Sequence, residues 1–198
     1  MTVREREGHG PWTPESLAAA TPVDNVRREL IDGWLYIDGQ PVDDPMADVA
    51  HESSGIYHGS AVMELILQLA GARDLRAGRL LTAPMDVLFS GGVVLQPDVF
   101  WVPGDDRIER PIAMTPSLVC EVASPSTRSH DLVRKRRVYE RDGVVEYWFV
   151  DHDAQRIEVY RHDGESYPSP TLHGPGATLE PQPLPGMTVD VATVLGLA

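Results

Sequence analysis

The sequence predicts an α/β (α+β) fold, a mixed central sheet with helices on its faces. Three observations point there. In "SGIYHGSAVMELILQLAGARDL", Val62, Leu65, Ile66 and Leu69 recur at the spacing of an amphipathic helix. "SLVCEVA" and "VEYWFVD" are short runs rich in β-branched and aromatic residues, as strands are. The coarse order along the chain is helix, several strands, helix, strands.

Taken in order, "TPESLAAA" predicts a short helix, with Thr13 as N-cap and Pro14 at the first helical position. "IDGWLYIDG" sets turn residues around apolar ones and predicts a strand or hairpin. "PVDDPMADVAHESS" is a loop. After the amphipathic helix come two strand candidates, "RLLTAPMDVLFS" and "GGVVLQPDVFWV", then "SLVCEVA". "SHDLVRKRRVYERDG" predicts a helix that stops at Gly143. "VEYWFVD" is a further strand, and "RIEVYRHDGESY" is expected to form a hairpin with Asp163-Gly164 near its tip. The tail "GMTVDVATVLGLA" adds a last strand or a helical turn.

A length of 198 residues suits one domain, expected over 1–198, and suffices to bury a core. No apolar run reaches membrane-spanning length, and "MTVREREGHGPW" lacks the apolar region of a signal peptide. Cys120 is the single cysteine, which excludes an internal disulfide; cytoplasmic residence is the simplest reading. The net charge of -13 argues against broad adhesion to nucleic acid. It leaves room for a local basic patch and is compatible with a metal site built from carboxylates.

Two acids interrupt the strand patterns. With a side-chain period of two, Val119, Glu121 and Ala123 point one way, and Leu118, Cys120 and Val122 the other. In the preceding candidate, Val94, Gln96, Asp98 and Phe100 are expected to share a face. Antiparallel pairing of the two strands would set Asp98 opposite Glu121, with Cβ atoms about 4.5–5.5 Å apart. Two like charges so close require a shared proton or a divalent cation; Mg²⁺ suits one or two carboxylates plus waters and a phosphate. Between Arg128 and Arg141 stand six cations and two acids. Asp131, Lys135 and Val138 fall on one side of this helix near Leu132 and Tyr139, while Arg134 and Arg137 are expected to be more exposed. Lys135, at or beside the buried face, either assists the carboxylate pair or belongs to a solvated basic face. His58 reads as a helix-start or packing residue, because no second histidine stands at ligand spacing. Cys120 reads as buried and inert, Tyr147 and Trp148 as core, and Trp34 and Trp101 as core or interface.

The combination "RRELIDGWLY", His58, "APMDVLFS", "QPDVFWV", "EVASPST", then Asp131, Lys135 and Tyr139, then "EYWFVD", resembles the Uma-type restriction-endonuclease family of the PD-(D/E)XK nuclease superfamily. The resemblance spans most of the chain. It implies the restriction-endonuclease-like αβββαβ core, over about residues 56–151, with extra N-terminal and C-terminal strands. It implies that Asp98 and Glu121, with the backbone carbonyl of Val122, bind Mg²⁺, Mn²⁺ being the alternative. The superfamily pattern places a lysine two residues after the glutamate, where this chain has Ala123. A lysine from the following helix, Lys135, is the substitute. Glu29 matches another characteristic acid and contacts metal or water, or only braces the site. The implied activity is metal-dependent endonucleolytic hydrolysis of DNA by a homodimer. Tyr139, Ser124 and Thr127 are supporting candidates, and Ser126 or Thr127 is expected to cap the helix. Two rivals stand beside this: a nuclease-fold module that binds nucleic acid or protein and cuts little, and a structural dimer pairing through a sheet edge in 156–167.

Overall fold

The computed structural model describes residues 10–21, 24, 26–49, 55–70, 78–104, 111–124 and 127–198. Helix α1, Pro14–Ala20, is closed at its start by a capping box between Thr13 and Ser16. A five-stranded sheet follows from β1 (Arg28–Ile31), β2 (Trp34–Ile37), β3 (Gln40–Val42), β5 (Val87–Phe89) and β6 (Val93–Leu95), in the order β3-β2-β1-β6-β5. Its hairpins turn at Asp32-Gly33 and Asp38-Gly39, with φ of 51° and 73°, and 47° and 74°. Two successive positive φ values are what a two-residue hairpin with the twist of its strands requires.

The larger sheet has six strands in the order β11-β10-β9-β8-β7-β4. These are β4 (Gly78–Thr82), β7 (Val99–Pro103), β8 (Leu118–Val122), β9 (Glu146–Asp151), β10 (Arg156–Arg161) and β11 (Thr171–His173). The β8–β9 pair is parallel and the other pairs are antiparallel, so the sheet is mixed. With helix α2 (Ile56–Leu69) ahead and helix α3 (Arg136–Arg141) between β8 and β9, the order α2-β4-β7-β8-α3-β9 is the expected αβββαβ core. The chain ends in a small β12–β13 pair, Thr178–Leu179 with Val189–Asp190, and in α4, Val191–Val194. Among the described residues no helix is long and apolar enough to cross a membrane.

The alternation read in "SLVCEVA" sorts the core. Leu118, Cys120 and Val122 join Val99, Trp101, Trp148 and Val150 under α2 and α4. Val119 joins Phe100, Val102, Tyr147 and Phe149 on the opposite face, with Val138 and Tyr139 of α3 and with Phe89 and Leu95 of the smaller sheet. Trp101 and Trp148 are thus core, and Cys120 is buried, its thiol pushed up by burial. Trp148 is fully buried, its indole N–H donating to Glu146 Oε1 at 2.9 Å. Trp148→Ala is expected to lower the unfolding free energy by about 3–5 kcal/mol, read from urea titration.

Two expectations are corrected. Each of the runs 79–90 and 91–102 holds two strands rather than one: β4 and β5, then β6 and β7, each pair divided between the two sheets. In the second run the break is at Gln96-Pro97-Asp98. Pro97 has no N–H to give a ladder, and the Gln96 N–H donates to Glu29 Oε1 at 2.9 Å instead. Val94 and Phe100 therefore do not share a face through Asp98. Secondly, β10 pairs with β11 at Thr171–His173, and Asp163-Gly164 lies in the connection between them. β10 has a neighbour on each side, so it is not the sheet edge expected within 156–167. The expected helix cap falls on Thr127, whose N–H donates to Ser124 Oγ at 3.2 Å, or on Ser126, which lies outside the described residues.

Candidate active site

Asp98 stands just before β7 and Glu121 near the end of β8. The register Val99↔Cys120, Phe100↔Val119, Trp101↔Leu118, continued by one step, sets Asp98 opposite Glu121. Glu29 comes from β1 of the other sheet and is joined to this corner by its bond from Gln96. Lys135 comes from a π-helical segment, His130–Lys135, that leads into α3. There the Arg136 N–H donates to the Asp131 carbonyl, five residues back. The wider turn of this kind often marks a functional site.

Lys135 is fully buried among three carboxylates. Its Nζ lies 2.9 Å from Glu29 Oε1, 3.1 Å from Asp131 Oδ1 and 3.2 Å from Glu121 Oε1. The contact to Asp131 is electrostatic only, since Asp131 Oδ1 accepts no aligned hydrogen bond. Tyr139 donates to Glu121 Oε1 at 2.6 Å. Glu121 Oε2 is buried and has no hydrogen-bond partner among the described residues. Asp98 is held on both oxygens: Oδ1 by Arg27 Nη2 at 2.6 Å, Oδ2 by the Val122 N–H at 2.8 Å and by His58 Nε2 at 3.2 Å.

These contacts pull the acids apart in strength. Burial alone would raise all three of Glu29, Asp98 and Glu121. At Asp98 the charge of Arg27, the hydrogen bond with His58 and the charge of Lys135 outweigh burial and hold the carboxyl well below the usual range. At Glu29 Lys135, His130 and Arg27 do the same. At Glu121 burial prevails: with Asp98 and Asp131 adding to it, it pushes the carboxyl well above the usual range against the pull of Lys135. Lys135 itself is opposed by burial, yet Asp131, Glu121 and Glu29 raise it above the ordinary lysine value.

Asp98, Glu121, Lys135 and Glu29, the four side chains singled out in the sequence, thus converge on one corner. Ser124 and Thr127 bond to each other, Oγ to Oγ1 at 2.9 Å, rather than to these side chains. Three other contacts were not legible. His58, read as a helix-start or packing residue, lies in the first turn of α2 and stands against Asp98. Arg27, two residues before Glu29, gave no signal beyond a basic pair. His130 Nε2 meets Glu29 Oε2 at 3.0 Å, its ring centroid 4.8 Å from that of Tyr36; its only hint was its place one residue before Asp131.

The donor set fits a hard divalent ion. Two carboxylates sit on or just before paired strands, and one carries a buried oxygen without a partner among the described residues, which is costly to leave so. Among the described residues no three His, Cys, Asp or Glu side chains form a metal-holding group. The fold is shared by the crystal structure of "a putative nuclease belonging to DUF820" from Anabaena variabilis ATCC 29413, with a TM-score of 0.70 over 94% of this chain and 99% of that one. At 16% identity this likeness shows the fold, a mixed α/β architecture. Residues 20–192 match the Uma2 family model, described as "Putative restriction endonuclease", and the chain belongs to that family. No curated protein matches.

Proposed function

We propose that this chain is a divalent-metal-dependent endonuclease that hydrolyses phosphodiester bonds in DNA. Asp98 and Glu121, with the Val122 carbonyl, hold Mg²⁺ or Mn²⁺. The observation that carries the reading is the pair itself: two carboxylates opposed just before β7 and on β8, with Glu121 Oε2 buried and unpartnered among the described residues. A divalent ion beside Asp98 and Glu121 would also favour the charged form of Glu121, which burial otherwise disfavours. The chemistry it supplies when bound is neutralisation of phosphate charge and a lowered pKa for water.

Lys135 assists from behind the pair. With no exposed surface it cannot reach a substrate directly. Its ammonium and the Tyr139 hydroxyl both hold Glu121 Oε1, which leaves Oε2 turned to the ion. Glu29 is the brace between the sheets, tied at once to Gln96, His130 and Lys135.

The test is cleavage of supercoiled, linear and branched DNA by the full chain with Mg²⁺ or Mn²⁺. Product is expected with either ion and none in excess EDTA. DNA retention without cleavage under all conditions would favour the binding-module reading instead.

A further inference from the structure

We propose that Arg27 is an internal cation that occupies Asp98 in place of a metal and is displaced when the metal arrives. This rests on the reading of Asp98 and Glu121 as the metal pair. Among the described residues the Asp98 side chain has three partners, and they differ in what they can give up. The Val122 N–H belongs to β8 and cannot leave Oδ2 without moving the strand. His58 shares that same oxygen, at 3.2 Å. Arg27 alone holds Oδ1, through one guanidinium nitrogen at 2.6 Å. A guanidinium does not lose its proton in a protein, so Arg27 can release Oδ1 only by moving.

The two fixed cations of the cluster are unequal in this respect. Lys135 is fully buried and gripped by three carboxylates, so nothing lets it out. Arg27 grips one carboxylate oxygen and keeps 21% of its side chain exposed. Its backbone is fixed, since its carbonyl accepts from the Asp38 N–H at 3.4 Å beside the second hairpin turn. The side chain is therefore the part that can swing outward. A hard divalent cation seeks the same oxygen with twice the charge. Arg27 keeps the metal-free site assembled and lowers its affinity for the ion, so loading depends on the free metal concentration.

The experiment is calorimetric titration of the full chain with Mn²⁺, comparing wild type, Arg27→Met, Arg27→Lys and Asp98→Asn. Removing a unit charge this close is expected to tighten Mn²⁺ binding about tenfold or more in Arg27→Met. Arg27→Lys, which keeps the charge, is expected to stay near wild type, and Asp98→Asn to lose binding. Equal or weaker binding in Arg27→Met, with Asp98→Asn still inactive in uptake, would overturn the role of Arg27 and leave the metal site standing. No uptake by wild type or Arg27→Met would overturn the metal reading and this inference together. Because Arg27→Met removes a buried partner, the wild-type chain supplies a second measurement. The Arg27 Nε–Hε nuclear magnetic resonance is expected to move on Mg²⁺ addition, and a resonance that stays in place while Mg²⁺ binds would overturn displacement.

Discussion

Glu121→Gln is expected to reduce Mg²⁺-supported DNA cleavage by about a thousandfold or more, while the melting temperature without metal stays the same or rises. Both halves follow from one feature. The Glu121 carboxyl is fully buried with one oxygen unpartnered among the described residues, and burial drives it towards the neutral form. An amide of the same shape keeps an oxygen for Tyr139 and Lys135 and removes a charge that the interior disfavours. What it loses is the anionic ligand. Such a pairing of lost activity with retained or higher stability is the mark of a residue kept for function. A variant that cuts at the wild-type rate would remove Glu121 from the metal site. One that loses activity by unfolding would leave Glu121 as a structural acid only. Initial rates on plasmid DNA and thermal unfolding by circular dichroism read the two halves separately.

Lys135→Met is expected to destabilise the chain by about 3–5 kcal/mol, the usual cost of removing one member of a buried ion cluster. Methionine fills much of the same volume, so the loss reports charge rather than a cavity. Three carboxylates within 2.9–3.2 Å of Nζ would lose their common counter-ion. Neutralising two of them in the same chain, as Lys135→Met with Glu29→Gln and Asp131→Asn, is expected to recover a substantial part of the loss. Urea denaturation of the single and triple variants checks this. A single variant as stable as wild type would mean that those carboxylates do not depend on Lys135 for their charge.

The core strands and the opposed carboxylates were legible because a two-residue period and a buried acid are local signals. In "SLVCEVA" both are present, and the face assigned to each residue matches its packing. Helix α1 was legible from Thr13 and Pro14 for the same reason. What lay hidden depended on distance along the chain. Nothing near Pro97 tells that the strand run divides between two sheets, because that requires the Gln96 N–H to meet Glu29, 67 positions away. Arg27 and His58 meet Asp98 only through the fold. The π turn at His130–Lys135 was invisible to a 3.6-residue period, although Asp131, Lys135 and Tyr139 still face inward. Asp163-Gly164 carried a turn signal and does lie between two antiparallel strands, but the partner of β10 is Thr171–His173, beyond the run read as the hairpin.

The break at Gln96-Pro97-Asp98 has a mechanical consequence. The chain leaves one sheet at Leu95 and enters the other at Val99, so the two sheets meet like jaws hinged at the aspartate. Glu29 rides on one jaw and Glu121 on the other, with the Lys135 ammonium as the pin between them. On the proposed reading, the gap available to an ion is then a measure of how tightly the jaws close, and substitutions in the distant packing between them are expected to alter metal affinity without touching Asp98 or Glu121.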